Sequence, residues 1–143
     1  MRLAFLIATS LALAGCAVPS NTDSWVEGNV SSADAQVLAD AVVRVAKQRL
    51  PPASTTLVLA PAGTTSSPLP EVIAEGLRKA GFALASAPQT DKIHPLRYMV
   101  TPFDGRMLLR VTVDTMTTAQ VFAPDGKGQL APASPQSTQT VAR

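Results

Sequence analysis

The dipeptide Asp104-Gly105 constrains the fold of this chain more than any other feature of its sequence. It lies between two segments, 96–103 and 106–114, in which apolar and polar residues alternate. Asp-Gly favours a two-residue type I′ turn, which joins antiparallel strands and fixes their register. The predicted hairpin has one wholly apolar face, on which the facing pairs are Leu96 with Val113, Tyr98 with Val111, and Val100 with Leu109. Its other face pairs Arg97 with Thr112 and Met99 with Arg110.

A helix is predicted upstream of the hairpin, over residues 32–50. Ser31 followed three positions later by Asp34 resembles a capping box with Asp in the acidic position. Apolar residues then recur at helical spacing, and Pro51-Pro52 ends the helix because proline lacks the N–H that the next turn needs.

A β-α-β unit is predicted between this helix and the hairpin. Residues 55–60 are apolar and β-branched, which indicates a buried strand, and residues 82–85 form a second short strand. The helix between them, over 70–80, ends at Gly81. The order strand, helix, strand implies a right-handed crossover. Gly76 costs this helix about 1 kcal/mol relative to alanine, which predicts a close approach of the helix to the sheet.

These elements define the predicted fold class, an α+β protein with one small domain over residues 31–123. An N-terminal helix, the β-α-β unit and an antiparallel hairpin, extended to a meander by a strand over 117–123, form a sheet covered by two helices. The tail, 124–143, is rich in Pro, Ser, Thr and Gln. It buries too little apolar surface to offset its ordering entropy, so we expect it to be disordered or ordered only by a partner.

The first 15 residues are predicted to be an export signal that is removed from the mature protein. A short apolar run follows Arg2, and Leu13-Ala14-Gly15-Cys16 matches the bacterial lipobox, in which Leu13, Ala14 and Gly15 are recognised by the signal peptidase. The alternatives are an ordinary signal peptide or a buried helix, each with an accidental cysteine. Cys16 is the only cysteine, so no disulfide can form and lipidation is its expected role. The acylated Cys16 is expected to hold the protein on the periplasmic side of the outer membrane.

Residues 16–30 are interpreted as a lipidated tether, which spans at most about 45 Å when extended at roughly 3.3 Å per residue. Trp25 within it leaves three alternatives open: it folds back onto its own domain, contacts a protein partner, or lies at the membrane interface. Pro132 and Pro135 in the tail are, with Trp25, the candidate partner contacts.

Composition and motifs argue against catalysis, a metal, a cofactor or bound nucleic acid. The 12 Lys and Arg nearly balance the 10 Asp and Glu, and no basic stripe is present. His94 is the single histidine, is expected in a loop, and has no Gly-x-Ser-x-Gly nucleophile elbow to serve. Glu75 lies four residues before Lys79, which indicates a solvent-exposed ion pair rather than part of a carboxylate pair with Glu71.

The chain resembles the TrbH family of conjugal transfer lipoproteins. The resemblance rests on its short lipoprotein signal, its α/β core and three segments of sequence: Pro95-Leu96-Arg97-Tyr98, Pro102-Phe103-Asp104-Gly105 with Leu108-Leu109-Arg110, and Ala131-Pro132-Ala133-Ser134-Pro135. It implies a non-enzymatic structural or assembly subunit of a conjugative type IV secretion channel, with other envelope-channel proteins as partners and no small-molecule substrate. The alternative is a free-standing periplasmic lipoprotein that binds a ligand or an envelope component.

Overall fold

The computed structural model describes residues 23–63, 66–87 and 92–140. Within those residues the chain forms two α-helices and eight strands, and a short 3-10 turn, Pro52–Ser54, follows the first helix. The elements in chain order are β1 (Trp25–Val26), α1 (Ser32–Arg49), β2 (Thr56–Leu59), α2 (Leu69–Lys79), β3 (Ala83–Ala85), β4 (Ile93–Phe103), β5 (Arg106–Val113), β6 (Met116–Pro124), β7 (Leu130–Pro132) and β8 (Ser137–Thr140). The predicted α+β class is confirmed, although the sheet is larger than expected.

The central hairpin, β4 and β5, has the predicted register along its whole length. Phe103 pairs with Arg106 across the turn, and the pairing continues without a slip to Leu96 and Val113. Asp104 and Gly105 have φ of 48° and 69°, the positive values that a type I′ turn requires at both positions.

All eight strands form one mixed sheet, which extends in both directions from this hairpin. The continuous strand order is β3-β2-β4-β5-β6-β7. One half of β4 pairs in parallel with β2 and the other half in parallel with β1. On the opposite side, β6 pairs with β8 near its start and with β7 near its end. The predicted β-α-β unit is present, since β2 and β3 are parallel.

Helix α1 begins at the predicted cap. The Ser31 hydroxyl accepts a hydrogen bond from the Asp34 backbone N–H at 3.1 Å and donates one to the Asp34 carboxylate at 2.8 Å. The first bond is that of a capping box, whereas the second joins two side chains rather than returning to the cap backbone.

Helix α2 ends in a Schellman motif. Gly81 has φ of +98°, the Gly81 N–H donates to the Arg78 carbonyl, and the Phe82 N–H donates to the Leu77 carbonyl. The prediction that α2 approaches the sheet closely at Gly76 is wrong, because at Gly76 it approaches α1 instead. A Cβ on Gly76 would lie 3.0 Å from Cγ2 of Val43.

The core lies between the two helices and one face of the sheet. Its fully buried side chains come from α1, α2 and the inward positions of β2, β4, β5 and β6, and they include Leu38, Val42, Leu57, Leu69, Ile73, Leu77, Leu96, Tyr98, Val100, Leu109, Val111 and Phe122. Each large aliphatic side chain contributes about 1.5–3 kcal/mol by leaving water. The two helices therefore cover one face, and no helix of the described residues lies on the other, which we call the helix-free face.

The expected disordered tail is wrong for two segments, β7 and β8. Leu130 of β7 is only 7% exposed, and the backbone N–H of Val121 donates to the Ser134 hydroxyl at 3.0 Å. The Arg49 guanidinium also binds the Thr138 hydroxyl. Backbone pairing with β6, together with the burial of Leu130 and the Arg49 hydrogen bond, holds these segments in place.

The tether predicted over residues 16–30 is shorter than expected, because its last residues fold onto the domain, as one of the alternatives for Trp25 had it. Ser24 is fully buried, its N–H donates to the Pro61 carbonyl at 2.9 Å, and its hydroxyl accepts from the Tyr98 N–H at 3.2 Å. Val30 is 2% exposed. The segment from Ser24 onward therefore belongs to the domain.

Candidate binding groove on the helix-free face of the sheet

The alternation of side chains along β4, β5 and β6 places one polar set on the face that the helices leave uncovered. Residues opposite each other in an antiparallel pair share a face. Arg97 faces Thr112, which faces Thr117, and Gln139 of β8 completes this row. The next row contains Trp25, Met99, Arg110, Ala119 and Ser137.

Two adjoining clefts between these rows form what we call the arginine groove. One has a volume of about 200 Å³ and is lined by Asp23, Arg97, Tyr98, Met99, Arg110, Thr112 and Thr117. The other, of about 490 Å³, is lined by Arg110, Thr117, Ala119, Ser137, Gln139 and Thr140. Because they share Arg110 and Thr117, the groove runs across the strands from β4 to β8.

A hydrogen bond between two threonines orders the floor of the groove, while the guanidinium of Arg110 at its centre is exposed to solvent. The hydroxyl oxygens of Thr112 and Thr117 lie 2.8 Å apart, and Thr112 is only 7% exposed. Arg110 is exposed and forms no hydrogen bond or ion pair with any other described residue. Its guanidinium therefore has donors that remain open to a ligand.

Large apolar side chains flank the groove on the same face. Trp25 lies beside Met99 and is 56% exposed, and Phe103 at the end of β4 is 59% exposed. Leu108 and Val121 face each other between them and are half-buried. Arginine, tryptophan, methionine and phenylalanine are the residue types that are enriched in protein interfaces.

Guanidinium groups and threonine hydroxyls both donate hydrogen bonds, and the guanidinium groups also carry positive charge. The groove therefore has the chemistry to bind a carboxylate or a phosphate. The described residues that line the groove include no histidine or cysteine, and Asp23 is the one carboxylate among them.

The prediction that His94 lies in a loop is wrong, because it lies in β4. Its Nδ1 is 2.8 Å from Oδ2 of Asp114, and both side chains are about one-third to two-fifths exposed. Asp114 also donates its backbone N–H to the Pro95 carbonyl. These two contacts hold the end of β5 against β4.

The predicted ion pair on α2 is confirmed. Nζ of Lys79 lies 2.6 Å from Oε1 of Glu75, and both side chains are mostly exposed. The hydrogen bond from Lys79, followed by its positive charge, holds the pKa of Glu75 below its usual value. The pair belongs to a solvated helix surface, as expected.

The predicted site residues differ in what the structure shows of them. Leu13, Ala14, Gly15 and Cys16 are outside the described residues, so their roles stay predictions. The Trp25 backbone folds onto the domain while its side chain stays exposed, so partner contact remains open to it.

Pro132 in β7 and Pro135 after it are both exposed. Four strand spacings separate Trp25 in β1 from Pro132 in β7, a distance of about 19 Å at 4.8 Å each. The three candidate contacts therefore do not form one site.

Sequence reasoning missed most of the groove. The hairpin register already placed Arg97 and Arg110 on one face, which was a usable signal. Ser137 and Gln139 could not be found, because they fall in the tail that was expected to be disordered.

Within residues 23–63, 66–87 and 92–140, no group of three or more His, Cys, Asp or Glu residues is placed to hold a metal ion. No described helix combines the length and the apolar character needed to cross a bilayer.

Comparison with known proteins gives one match. The family model described as conjugal transfer protein TrbH matches residues 18–141. No curated protein and no solved structure matches the chain.

Proposed function

Since the chain belongs to the TrbH family of conjugal transfer proteins, we propose that it is a non-enzymatic structural or assembly subunit of a conjugative type IV secretion channel. The observation that carries this proposal is the family match, which covers all but the ends of the chain. The groove supports it, because it combines arginine and methionine, which are enriched in protein interfaces, with hydroxyl groups that can form hydrogen bonds.

The proposed location is the periplasmic side of the outer membrane, with acylated Cys16 as the anchor. Leu13-Ala14-Gly15-Cys16 supports this part of the proposal, and each buried methylene of the acyl chains adds about 0.8 kcal/mol to membrane binding. Ala17 follows the cysteine at the position where aspartate favours retention in the inner membrane of enteric-type bacteria.

The subunit role is tested by tagging the chain at its C-terminus in donor cells that carry the rest of the transfer apparatus. We expect the detergent-extracted protein to purify in a large complex with other channel components, and we expect deletion of its gene to abolish DNA transfer. Purification alone at its own mass, with transfer unimpaired by the deletion, would contradict the proposal and favour a free-standing lipoprotein.

The anchor is tested separately with two variants. Cys16→Ser should leave an unprocessed precursor that incorporates no labelled palmitate. Ala17→Asp should be processed and labelled normally but, in an enteric host, should fractionate with the inner membrane. Normal processing and labelling of Cys16→Ser would refute the anchor, whereas outer-membrane recovery of Ala17→Asp would refute only the sorting rule.

A further inference from the structure

The exposed aromatic side chains of the described residues lie at one corner of the helix-free face. Trp25 is 56% exposed and Phe103 is 59% exposed, and no other large apolar side chain in the described part of the chain is exposed. Trp25 lies in β1 beside Met99, and Phe103 ends β4 four residues further along. Side chains at alternate strand positions share a face, so both rings project from the same side of the sheet.

The two rings are close enough to contact one flat surface. Four residues of strand span about 13 Å and one strand spacing adds about 4.8 Å sideways, which places the two positions about 14 Å apart. Thr101 and Leu108 face each other in the area between them. We call Trp25 and Phe103, with Thr101 and Leu108 between them, the aromatic corner.

The backbone of the aromatic corner is fixed by contacts with β4. The Glu27 N–H donates to the Val100 carbonyl at 2.9 Å, and a Cβ on Gly28 would lie 3.2 Å from Cγ of Pro102. The segment that follows Trp25 therefore runs along β4 as far as its end. Both rings are held in solvent by an ordered backbone.

The chain enters the described residues next to this corner. Asp23 lines the groove on the helix-free face, two residues before Trp25. Seven residue steps separate Cys16 from Asp23, a reach of at most about 23 Å at 3.3 Å per step. A short tether keeps its domain at a high effective concentration next to the anchor, so even a weak contact with the lipid surface is sufficient to orient the domain.

The charges at the corner nearly cancel. Arg106 faces Phe103 across the turn, and Asp104 and Glu27 are exposed close to it. The corner therefore has no excess of positive charge to attract anionic lipid, and its two rings have to supply the contact. Tryptophan is typical of the headgroup level of a bilayer, because its ring combines an apolar body with a polar N–H.

We propose that the aromatic corner rests in the headgroup region of the bilayer that carries the anchor, with the rings of Trp25 and Phe103 as its contacts. This inference rests on the proposed function, since it takes acylated Cys16 to bring the domain to the membrane. The arginine groove begins beside the corner at Met99 and runs toward β8, so most of it stays open to a protein partner.

The place of the corner favours a bilayer over a protein as its occupant. A protein partner can bind any exposed face, whereas a membrane contact has to lie where a short tether enters the domain. Both exposed rings lie at that place, and the helices on the opposite face carry no exposed large apolar side chain among the described residues.

The first experiment places a photo-crosslinking phenylalanine analogue at Phe103 in the full chain in donor cells, with Gln48 as the control position. Gln48 is exposed on α1, which covers the opposite face. We expect phospholipid adducts, identified by mass spectrometry, from position 103 and none from position 48. Adducts from 103 to protein alone, no adducts from 103, or equal lipid adducts from both positions overturn the proposal.

Palmitate labelling of the same samples separates this proposal from the anchor. Labelled protein without lipid adducts at position 103 means that the corner proposal fails and the anchor stands. Lipid adducts from unlabelled protein mean that the anchor fails and the corner still contacts the bilayer. The absence of both refutes both.

The second experiment uses the fluorescence of Trp25, which is the only tryptophan of the chain. The purified protein is reconstituted in vesicles of phosphatidylethanolamine and phosphatidylglycerol whose acyl chains carry bromine near the headgroups. We expect the bromine to lower the emission about twofold relative to unbrominated vesicles, because indole rings settle at that level. Emission that bromine leaves unchanged overturns the proposal.

Substitutions then test whether both rings take part. Phe103→Ser should at least halve the quenching of Trp25, whereas Gln48→Ser should leave it unchanged. A second control moves the reporter: Gln48→Trp combined with Trp25→Phe should give emission that bromine does not quench. Quenching that is equal at positions 25 and 48, or that Phe103→Ser leaves intact, overturns the two-ring contact.

Discussion

The guanidinium Nη2 of Arg49, in the last turn of α1, donates a hydrogen bond of 2.9 Å to the hydroxyl of Thr138 in β8. The same guanidinium reaches the sulfur of Met116 through Nη1, at 3.7 Å. A single side chain from the N-terminal helix thus contacts both β6 and the edge strand that the C-terminal segment adds to the sheet.

Arg49→Ala should loosen β8 without unfolding the domain. The lost charged hydrogen bond is worth about 1 kcal/mol, which corresponds to about fivefold faster amide hydrogen exchange in β8. Arg44→Ala is the control, because Arg44 lies exposed on the same helix and has no hydrogen-bond partner among the described residues. Equal exchange rates for β8 in the two variants would show that Arg49 does not hold the strand.

Gly105→Ala should destabilise the domain only because of the backbone conformation at residue 105. A Cβ at Gly105 meets nothing within 4 Å, yet its φ is +69°, where an L-residue costs about 1–2 kcal/mol. Gly126 has equally open space without a positive φ, so Gly126→Ala should be neutral or stabilising by a few tenths of a kcal/mol. Urea unfolding of both variants measures the difference, and equal midpoints would contradict the turn assignment.

Gly76→Ala should show strong coupling to Val43. Alanine gains about 1 kcal/mol of helix propensity over glycine, but its Cβ would lie 3.0 Å from Cγ2 of Val43. We therefore expect Gly76→Ala to be neutral or destabilising alone and stabilising by about 1 kcal/mol when Val43→Ala is already present. A double-mutant cycle in urea provides the coupling energy, and additive effects would mean that the helices do not meet there.

Tyr98→Phe should stabilise the domain, and more so at high pH. The Tyr98 hydroxyl is buried without a hydrogen-bond partner among the described residues, and an unsatisfied buried group costs about 1–3 kcal/mol. Burial also raises the pKa of the Tyr98 phenol above its ordinary value. The unfolded chain therefore loses this proton first, and above about pH 10 stability falls by up to about 1.4 kcal/mol per pH unit.

The measurement for Tyr98 is urea unfolding between pH 8 and pH 11, with the phenolate absorbance followed in parallel. Tyr98 is the only tyrosine, so that absorbance reports one group. The lysines lose charge over the same range in both proteins, and the difference between wild type and Tyr98→Phe isolates the phenol. A difference that stays constant with pH would refute the predicted raised pKa.

The elements with strong local signals were predictable from the sequence. Asp104-Gly105 fixed the turn, the alternation on either side fixed the register, and Ser31, Pro51 and Gly81 marked helix ends. These signals act between near neighbours, so one sequence is enough to read them.

Short strands that depend on a distant partner were not predictable. Trp25–Val26 and Ser137–Thr140 are too short and too irregular in composition to indicate strands. They form because β4 and β6 each offer a long edge of backbone donors and acceptors along which two separate strands can pair. For the same reason only the half of the groove that lies on the hairpin could be inferred, through Arg97 and Arg110.

The burial of Ser24 beside β1 limits how far the folded domain can stand from a membrane. If acylated Cys16 is the anchor, eight residue steps separate the lipid from the first fixed point of the sheet, a reach of at most about 26 Å at 3.3 Å per step. That is little more than half the reach of a tether that continues to residue 30. The domain is then held within that distance of the bilayer surface, so a partner has to reach it there.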